Sequence, residues 1–444
     1  LSLINISCVP VAGCLIASAA VGKVGETEIG WSPPVHTDNT VREMEITLLA
    51  VLAFAALLVW VWLVVFRGGF WLCDQRLTEP AILPAILPAV WPAVWPAVVA
   101  VIPARDEVLS IADSVRSLVE QDYPGGLTVI VVDDGSSDGT ADAARDAVEA
   151  ATVEILDGAP LADGWTGKVW AMHQGVLRAG ELAPEARYVL LTDADIAHGT
   201  DSLRLLVAKA EAETLDLVSL MVRLRCESFW EKWLIPAFVF FFQKLYPFGW
   251  VNRGRQGSAA AAGGCMLLRR SALDRIGGMA AIRGRVIDDC ALAGEIAKEG
   301  KIWLGLTDSS RSIRGYDGIS GIWNMVARTA YIQLNHSLIL LAGTVLGMVF
   351  LYLVPPIALI VGILQQDLAA MAFGGAGAAL MTVLYVPMLH HFGLHPWRAF
   401  LLPGVACLYS LMTISSAIRH YRGQGGAWKG RSYSAPTSGH GDVP

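Results

Sequence analysis

Residues Ile46 to Phe66, ITLLAVLAFAALLVWVWLVVF, contain no charged side chain, and the run is as long as a helix must be to cross the hydrocarbon core of a bilayer. A chain holding such a run folds with that run in lipid or buries it completely. Glu43 and Glu45 precede it, while Arg67 and Arg76 follow. Because basic residues stay on the cytoplasmic side, the domain after the span is expected in the cytoplasm, at the inner membrane. The whole chain is 54% hydrophobic and 16% charged, with a mean hydropathy of +0.50, and its charges concentrate between about residues 103 and 317. That combination predicts a water-facing domain in the middle with membrane helices attached at both ends.

Residues 1–45 carry no clear periodicity, and Met44 stands directly before the apolar run, so an over-extended start is expected for this leader. The run after Cys8 lacks the basic segment that a secretory signal requires. Residues 67–97 form a juxtamembrane linker, whose later part repeats AILP and AVWP. Proline at every fourth position removes backbone donors and predicts a stiff, extended connector. The seven cysteines show neither CxxC nor metal-ligand spacing. A net charge of −7 without a long basic run argues against nucleic acid as a partner.

From Val98 short β-branched runs alternate with amphipathic stretches: VVAVI, VLSIADSVRSLVEQ, LTVIVVDD, ADAARDAVEAA and VEIL, then YVLLTD at 188–193 and DLVSLMV at 216–222. This alternation predicts a parallel sheet with crossover helices, an α/β fold of Rossmann-like character. In the helix over 108–121, Val108, Ile111, Val115, Leu118 and Val119 share one face.

Ligands of such sheets bind beyond the carboxyl ends of the strands. Those ends are acidic here: Pro103-Ala104-Arg105-Asp106-Glu107, Asp133-Asp134-Gly135-Ser136 and Asp193-Ala194-Asp195. Carboxylates gathered on one sheet edge repel one another, and a divalent cation with a preference for hard oxygen ligands, Mg2+ or Mn2+, relieves the repulsion. Any one of these segments alone also reads as a turn with a helix cap. A dinucleotide-dependent oxidoreductase would need a glycine-rich turn after the first strand, where this chain has PARDE.

The ordered series VIPARDE, VVDDGSSDGT, LTDAD and VIDDCALAGEI resembles the motifs of family 2 inverting glycosyltransferases with the nucleotide-diphospho-sugar (GT-A) fold, over about residues 98–330. DGWTGKVWA, AAGGCMLLRR and MVARTAYIQLNHS look like the hopene-associated branch of that family. The resemblance implies a GT-A domain over 98–335 and a nucleotide sugar donor, UDP-linked. It places Pro103, Glu107, Asp133 and Asp134 by the nucleotide, with Asp193 and Asp195 as a metal-binding DxD motif. Asp289, preceded by Asp288, matches the general base. Lys168 would meet the sugar diphosphate and Trp165 a sugar face, although a solvated lysine and a core tryptophan read equally well. Arg253, Arg255, Arg269 and Arg270 would meet phosphate or lipid headgroups, or simply face solvent. Asp289 also begins a helix, where an aspartate has a capping role. The processive synthases of the family carry Q/RxxRW after the base; here Met325 to Thr329 keeps only Arg328, which speaks for a single transfer to a lipid, polyisoprenoid or small acceptor rather than polymer synthesis. A non-catalytic scaffold retaining the fold is the reading from another class.

FWEKWLIPAFVFFFQKLYPFGW at 229–250 is aromatic but interrupted by Glu231, Lys232 and Lys244, so it is expected to lie in the membrane interface, with burial as an ordinary domain helix the rival. Transmembrane α-helices are expected within 336–420, in three apolar segments of which the first is interrupted by Pro355-Pro356, and a basic tail follows over 421–444. Three full crossings would leave that tail outside, against the charge rule.

Overall fold

The computed structural model describes residues 37–78, 92, 94–148, 153–424, 427–428 and 431–432. The leader up to residue 36, most of the proline repeat and residues 433–444 lie outside the described residues.

The centre of the molecule is an eight-stranded sheet: β1 Val98–Ala104, β2 Leu127–Asp133, β3 Val153–Asp157, β4 Tyr188–Thr192, β5 Ile196–Ala197, β6 Leu217–Arg223, β7 Cys265–Arg269 and β8 Ile302–Ser312, in the order β3-β2-β1-β4-β7-β6-β8-β5. Every residue of β1 is buried, so the strand reads as an unbroken apolar run rather than an alternating one. Its two faces still separate with a period of two. Val99 and Val101 join one core, while Val98, Ala100 and Ile102 join the other. Pro103 is tolerated inside this central strand because β4 pairs with β1 only as far as Val101, leaving no ladder bond for the missing N–H to make on that side.

The helices of the sheet domain are α1 Thr37–Phe66, which leads into it, then α2 Ile111–Val119, α3 Thr140–Asp146, α4 Gly167–Leu182, α5 Ser202–Ala212, α6 Phe229–Leu245, α7 Phe248–Val251, α8 Arg270–Arg275, α9 Asp288–Ile296 and α10 Gly318–Gln333. In α2, Ile111, Val115 and Leu118 are buried, whereas Val119 is exposed. Helix α4 lies hard against the sheet. A Cβ at Gly175 would stand 2.3 Å from Val101 Cγ1 and 2.9 Å from Val132 Cγ2, so only glycine permits this approach.

The sheet is mixed, not wholly parallel. After β6 the chain leaves through α6 and α7 before returning, and this excursion brings it back from the opposite end, so β7 runs antiparallel to both β4 and β6. Strand β5 is antiparallel to β8.

Four more helices follow: α11 Leu338–Tyr352, α12 Val354–Gln365, α13 Leu368–His391 and α14 Leu402–Tyr421. Among the described residues, segments Thr47–Phe66, Phe229–Val251, Leu368–His391 and Pro396–Tyr421 are long and apolar enough to cross a membrane, and α11 with α12 forms a fifth when taken as one span bent by 41°. Leucine, isoleucine and valine side chains on α11 and α12 are exposed at their outer faces.

Segment Phe229–Val251 departs from its expected place in the interface. Most of it is buried inside the molecule, and its core is continuous with both the sheet and the apolar helices. Phe240 packs against Phe70 and Tyr385, and Phe241 against Tyr352 and Tyr409. Two of its charges find partners inside the molecule: Ser228 and Glu231 form a capping box, Glu231 Oε1 accepts from Tyr316 N at 3.0 Å, and Lys244 donates to the Tyr352 hydroxyl at 2.8 Å.

Helix α1 is tied to this assembly at its carboxyl end. Arg67 donates to the carbonyls of Lys244 and Leu245, both at 3.0 Å, and the chain then pairs with β8 through Leu77 N to Leu306 O at 2.9 Å and Leu306 N to Gln75 O at 2.8 Å. The carboxyl end of α13 returns to the same place, where His391 meets Arg76. Helix α14 lies across the domain helices: Tyr409 donates to Leu234 O, Trp323 to Ser415 Oγ, Tyr331 N to Ser416 Oγ, and Arg419 to Asn324.

Candidate active site

The loops after β1 and β2 are stapled to one another by short polar side chains. Ser136 accepts from Asp106 N at 3.0 Å, Asp106 from Ser137 N at 2.9 Å, Thr140 from Glu107 N at 2.7 Å, and Asp138 from Val108 N at 3.0 Å. Asp106 adopts φ 49°, a left-handed conformation that aspartate tolerates better than most residues, and Gly135 turns the partner loop at φ 67°. The result is a rigid double loop at the carboxyl edge. Asp133 and Asp134 are buried in it: Asp133 Oδ2 accepts from Ser136 N at 3.2 Å, and Arg105 donates to the Asp134 carbonyl. Asp133 Oδ1 is buried without a hydrogen-bond partner.

The centre of the edge is organised by a lysine. Thr166 and Gly167 open α4 and direct Lys168 between strands, where its Nζ stands 2.8 Å from Asp193 Oδ1 and 3.2 Å from Asp288 Oδ2. Burial presses the ammonium towards neutrality, but Asp193 and Asp288 outweigh it and hold the lysine above its usual range. Asp193 is raised above the carboxylate range by burial, against the opposing charge of Lys168 and with Asp195 adding to the rise.

Asp288 and Asp289 begin α9. Asp289 accepts from Gly263 N at 2.9 Å and from Cys290 N at 2.7 Å, which aims its carboxylate into the same cluster. Burial, then the charge of Asp288, pushes it up to about 6, with Lys168 pulling the other way. A carboxylate so poised takes protons near neutral pH. The backbone of Gly263 closes the cluster: a Cβ there would lie 3.3 Å from Lys168 Nζ and 3.4 Å from Asp289 Oδ2. The Asp288 atom facing Lys168 makes no hydrogen bond although it is buried.

Asp195 pairs with a different cation from the one Asp193 meets. Its Oδ2 lies 2.7 Å from Arg314 Nε, and the same guanidinium reaches Glu107. Arg314 was not singled out by sequence reasoning; it stands two residues past the end of β8, and the strand-end rule applied to β2 and β4 would have found it. Asp195 and Glu107 hold its guanidinium charge against the cost of burial.

The expected ligands Asp193 and Asp195 both stand at this edge, each with its own ion pair. Each carboxylate takes a different protein cation, and no group of three or more His, Cys, Asp or Glu able to hold a metal is found among the described residues. The donor set nevertheless suits a hard divalent cation of one kind. Magnesium is held by one or two carboxylates together with substrate phosphates rather than by a full protein cage, and the carboxylates of Asp193 and Asp195 have that character.

The remaining basic residues fall elsewhere. Arg269 pairs with Glu211 and Asp216, and Arg270 donates to the Ala183 carbonyl, so both serve the sheet domain's own packing. Arg255 stacks on Trp250 at 3.7 Å from the ring centroid. Arg253 is exposed. Trp165 is half-buried and stacks on His173, with ring centroids 4.6 Å apart, just before α4.

Residues 99–277 match the family model described as Glycosyl transferase family 2. The match covers the double loop, Lys168, Asp193 and Asp195, and stops short of Asp288, Asp289 and Arg314. No curated protein matches the chain. Among solved structures, the chain is similar to the mannosyltransferase PcManGT from Pyrobaculum calidifontis in complex with GDP-Man and Mn2+, at 21% identity over 85% of this chain and 97% of that one, with a TM-score of 0.47. It is also similar to mannosyl-3-phosphoglycerate synthase from Rubrobacter xylanophilus, at 16% identity over 61% and 86% with a TM-score of 0.40. For glucosyl-3-phosphoglycerate synthase from Mycobacterium tuberculosis the values are 16%, 59%, 87% and 0.39.

Proposed function

We propose that this glycosyltransferase, whose family 2 domain occupies residues 99–277, moves one sugar with inversion from a UDP-linked or similar nucleotide diphosphate sugar to a lipid, polyisoprenoid or small acceptor at the membrane face. The observation that carries the reading is the convergence of Lys168 on Asp193 and Asp288, with Asp289 beside them on the rim where the strands end.

In this reading the double loop receives the nucleoside and ribose at Pro103, Glu107, Asp133 and Asp134. A divalent cation held by Asp193 and Asp195 would neutralise charge on the departing diphosphate. Lys168 adds a fixed positive charge on the same leaving group, within a water-poor site where such charges act strongly. Asp289 takes the proton of the acceptor hydroxyl as its oxygen attacks the anomeric carbon from the face opposite the leaving group, which inverts the configuration. Asp288 keeps Lys168 oriented and raises the basicity of Asp289. Trp165 would meet a sugar face.

We read three membrane crossings: α1, the bent pair α11–α12, and α13. Helix α14 rests on α6 and α10 of the domain, which supports placing it, and the basic tail after it, on the catalytic side. This arrangement removes the conflict with the charge rule and puts the domain at the cytoplasmic face of the inner membrane. A hopanoid acceptor rests on the resemblance of residues 163–171, 261–270 and 325–337, together with the placing of the apolar segments.

The test is nucleoside diphosphate release by the purified full chain across a panel of nucleotide sugars with manganese or magnesium and membrane lipid extracts. Release dependent on one donor and on a lipid fraction is expected. Absence of release with every donor, metal and extract would overturn the reading.

A further inference from the structure

A second opening, of about 530 Å³, lies away from the acidic cluster, where the end of α13 meets the sheet domain. Its polar walls are Arg76, Arg223, Asp308, His390 and His391, and Leu72 and Pro387 supply apolar ones. Arg76 is built in: it donates to Cys73 O at 3.0 Å and to Asp308 Oδ2 at 2.7 Å, and meets Nδ1 of the buried His391 at 2.7 Å. Arg223 Nη1 reaches the other oxygen of Asp308 at 3.6 Å. Two guanidiniums therefore share one carboxylate, which leaves an excess of positive charge before either histidine is protonated. Gly393, whose φ of 68° favours glycine, lines the far side near Arg223.

The position decides what such a charge is for. The opening sits at the carboxyl end of a segment long and apolar enough to span, beside the chain leaving α1, and thus at the headgroup level if those helices cross. Basic pockets beside membrane helices on the cytoplasmic side recognise anionic headgroups, and a guanidinium presents paired donors matched to phosphate oxygens. The carbonyl end of α13 repels an anion here, so capture depends on the two arginines.

We propose that this opening binds the phosphate of an anionic phospholipid headgroup through Arg223 and Arg76, and so fixes the height of the catalytic domain on the bilayer. The proposal rests on the membrane reading above, but its test turns on headgroup selectivity rather than on membrane insertion or turnover. The full chain in neutral detergent is titrated with short-chain phosphatidylglycerol, short-chain phosphatidylcholine or inorganic phosphate, and apparent affinity is taken from the concentration dependence of Tm. Phosphatidylglycerol is expected to raise Tm well above the other two. Arg223→Gln is expected to weaken that affinity roughly tenfold, the usual loss with one charged hydrogen-bonding partner, while Asp308→Asn, which removes the competing carboxylate, strengthens it. Equal shifts from phosphatidylglycerol and phosphatidylcholine would overturn the proposal, as would an inorganic phosphate effect as large as the lipid's. Unchanged lipid affinity in both variants would overturn it as well.

Discussion

Replacing Lys168 by methionine keeps the length of the side chain and removes its charge, and the structure says how the defect should depend on pH. In the native protein Lys168 lowers the proton affinity of Asp289, whose carboxyl sits at about 6. An opposite charge at this range is worth about one to three pK units. Without it, Asp289 titrates higher. A rise of about one unit leaves roughly a tenth of the base ionised at pH 6 instead of half, a loss of about fivefold, and a rise of about two units leaves about a hundredth, a loss of about fiftyfold. Since the base works deprotonated, activity climbs with pH through its pKa, so the variant's deficit from this cause should shrink steadily towards pH 9. With the proposed contact of Lys168 to the leaving group gone, a second, pH-independent loss is expected. Asp193 and Asp288 lose their shared partner, but both reach some solvent, so the stability cost falls below the 3–5 kcal/mol or so of a fully buried broken pair. The assay is turnover against pH between 6 and 9 for wild type and Lys168→Met, with Tm measured at each pH. A deficit of constant size across that range, with Tm intact, would refute the coupling between Lys168 and Asp289.

Asp195→Ala is expected to abolish manganese-stimulated donor binding, whereas Asp163→Ala, in an exposed loop before α4, leaves it nearly intact; donor titration with and without manganese checks both. Asp289→Asn should cut turnover by about 10²–10⁴ while calorimetry finds donor affinity almost unchanged. Gly175→Val should destabilise the protein by about 1–3 kcal/mol or more, read as a lowered unfolding midpoint, because its side chain must displace Val101 and Val132. A tag placed after the last residue should share the accessibility of the catalytic domain in sealed, inverted membrane vesicles, and opposite protease sensitivity would remove α14 from the catalytic side.

Much of the sheet was legible because its strands are buried on both faces and end in carboxylates. VVAVI and LTVIVVD announce themselves by composition, and the residues after them must face the open edge. Strand β7 was harder. CMLLR is short, and nothing within it states a direction; the direction is set by where α6 and α7 deliver the chain. Phe229–Val251 misled for a related reason. Glu231 and Lys244 look out of place in an apolar run until their partners, Tyr316 N and the Tyr352 hydroxyl, arrive from far along the chain. Arg314 likewise has no local motif, and its pairing with Asp195 and Glu107 exists only once β8 is laid beside β6. The DxD spacing names two carboxylates, but not the protein cation each of them meets, Lys168 for Asp193 and Arg314 for Asp195, since both come from distant segments.

The strand-like pairing of residues 75–77 with Leu306 leaves almost no slack between α1 and the sheet. A lever of this kind transmits tilt. Helices adjust their tilt to the thickness of the bilayer around them, and here a change of tilt would bear directly on β8, past whose far end Arg314 holds Asp195 and Glu107. If α1 crosses a bilayer as proposed, lipid thickness and the geometry of the sheet edge form one mechanical coordinate, and the enzyme's catalytic constants should vary with the acyl-chain length around it, even when every substrate is saturating.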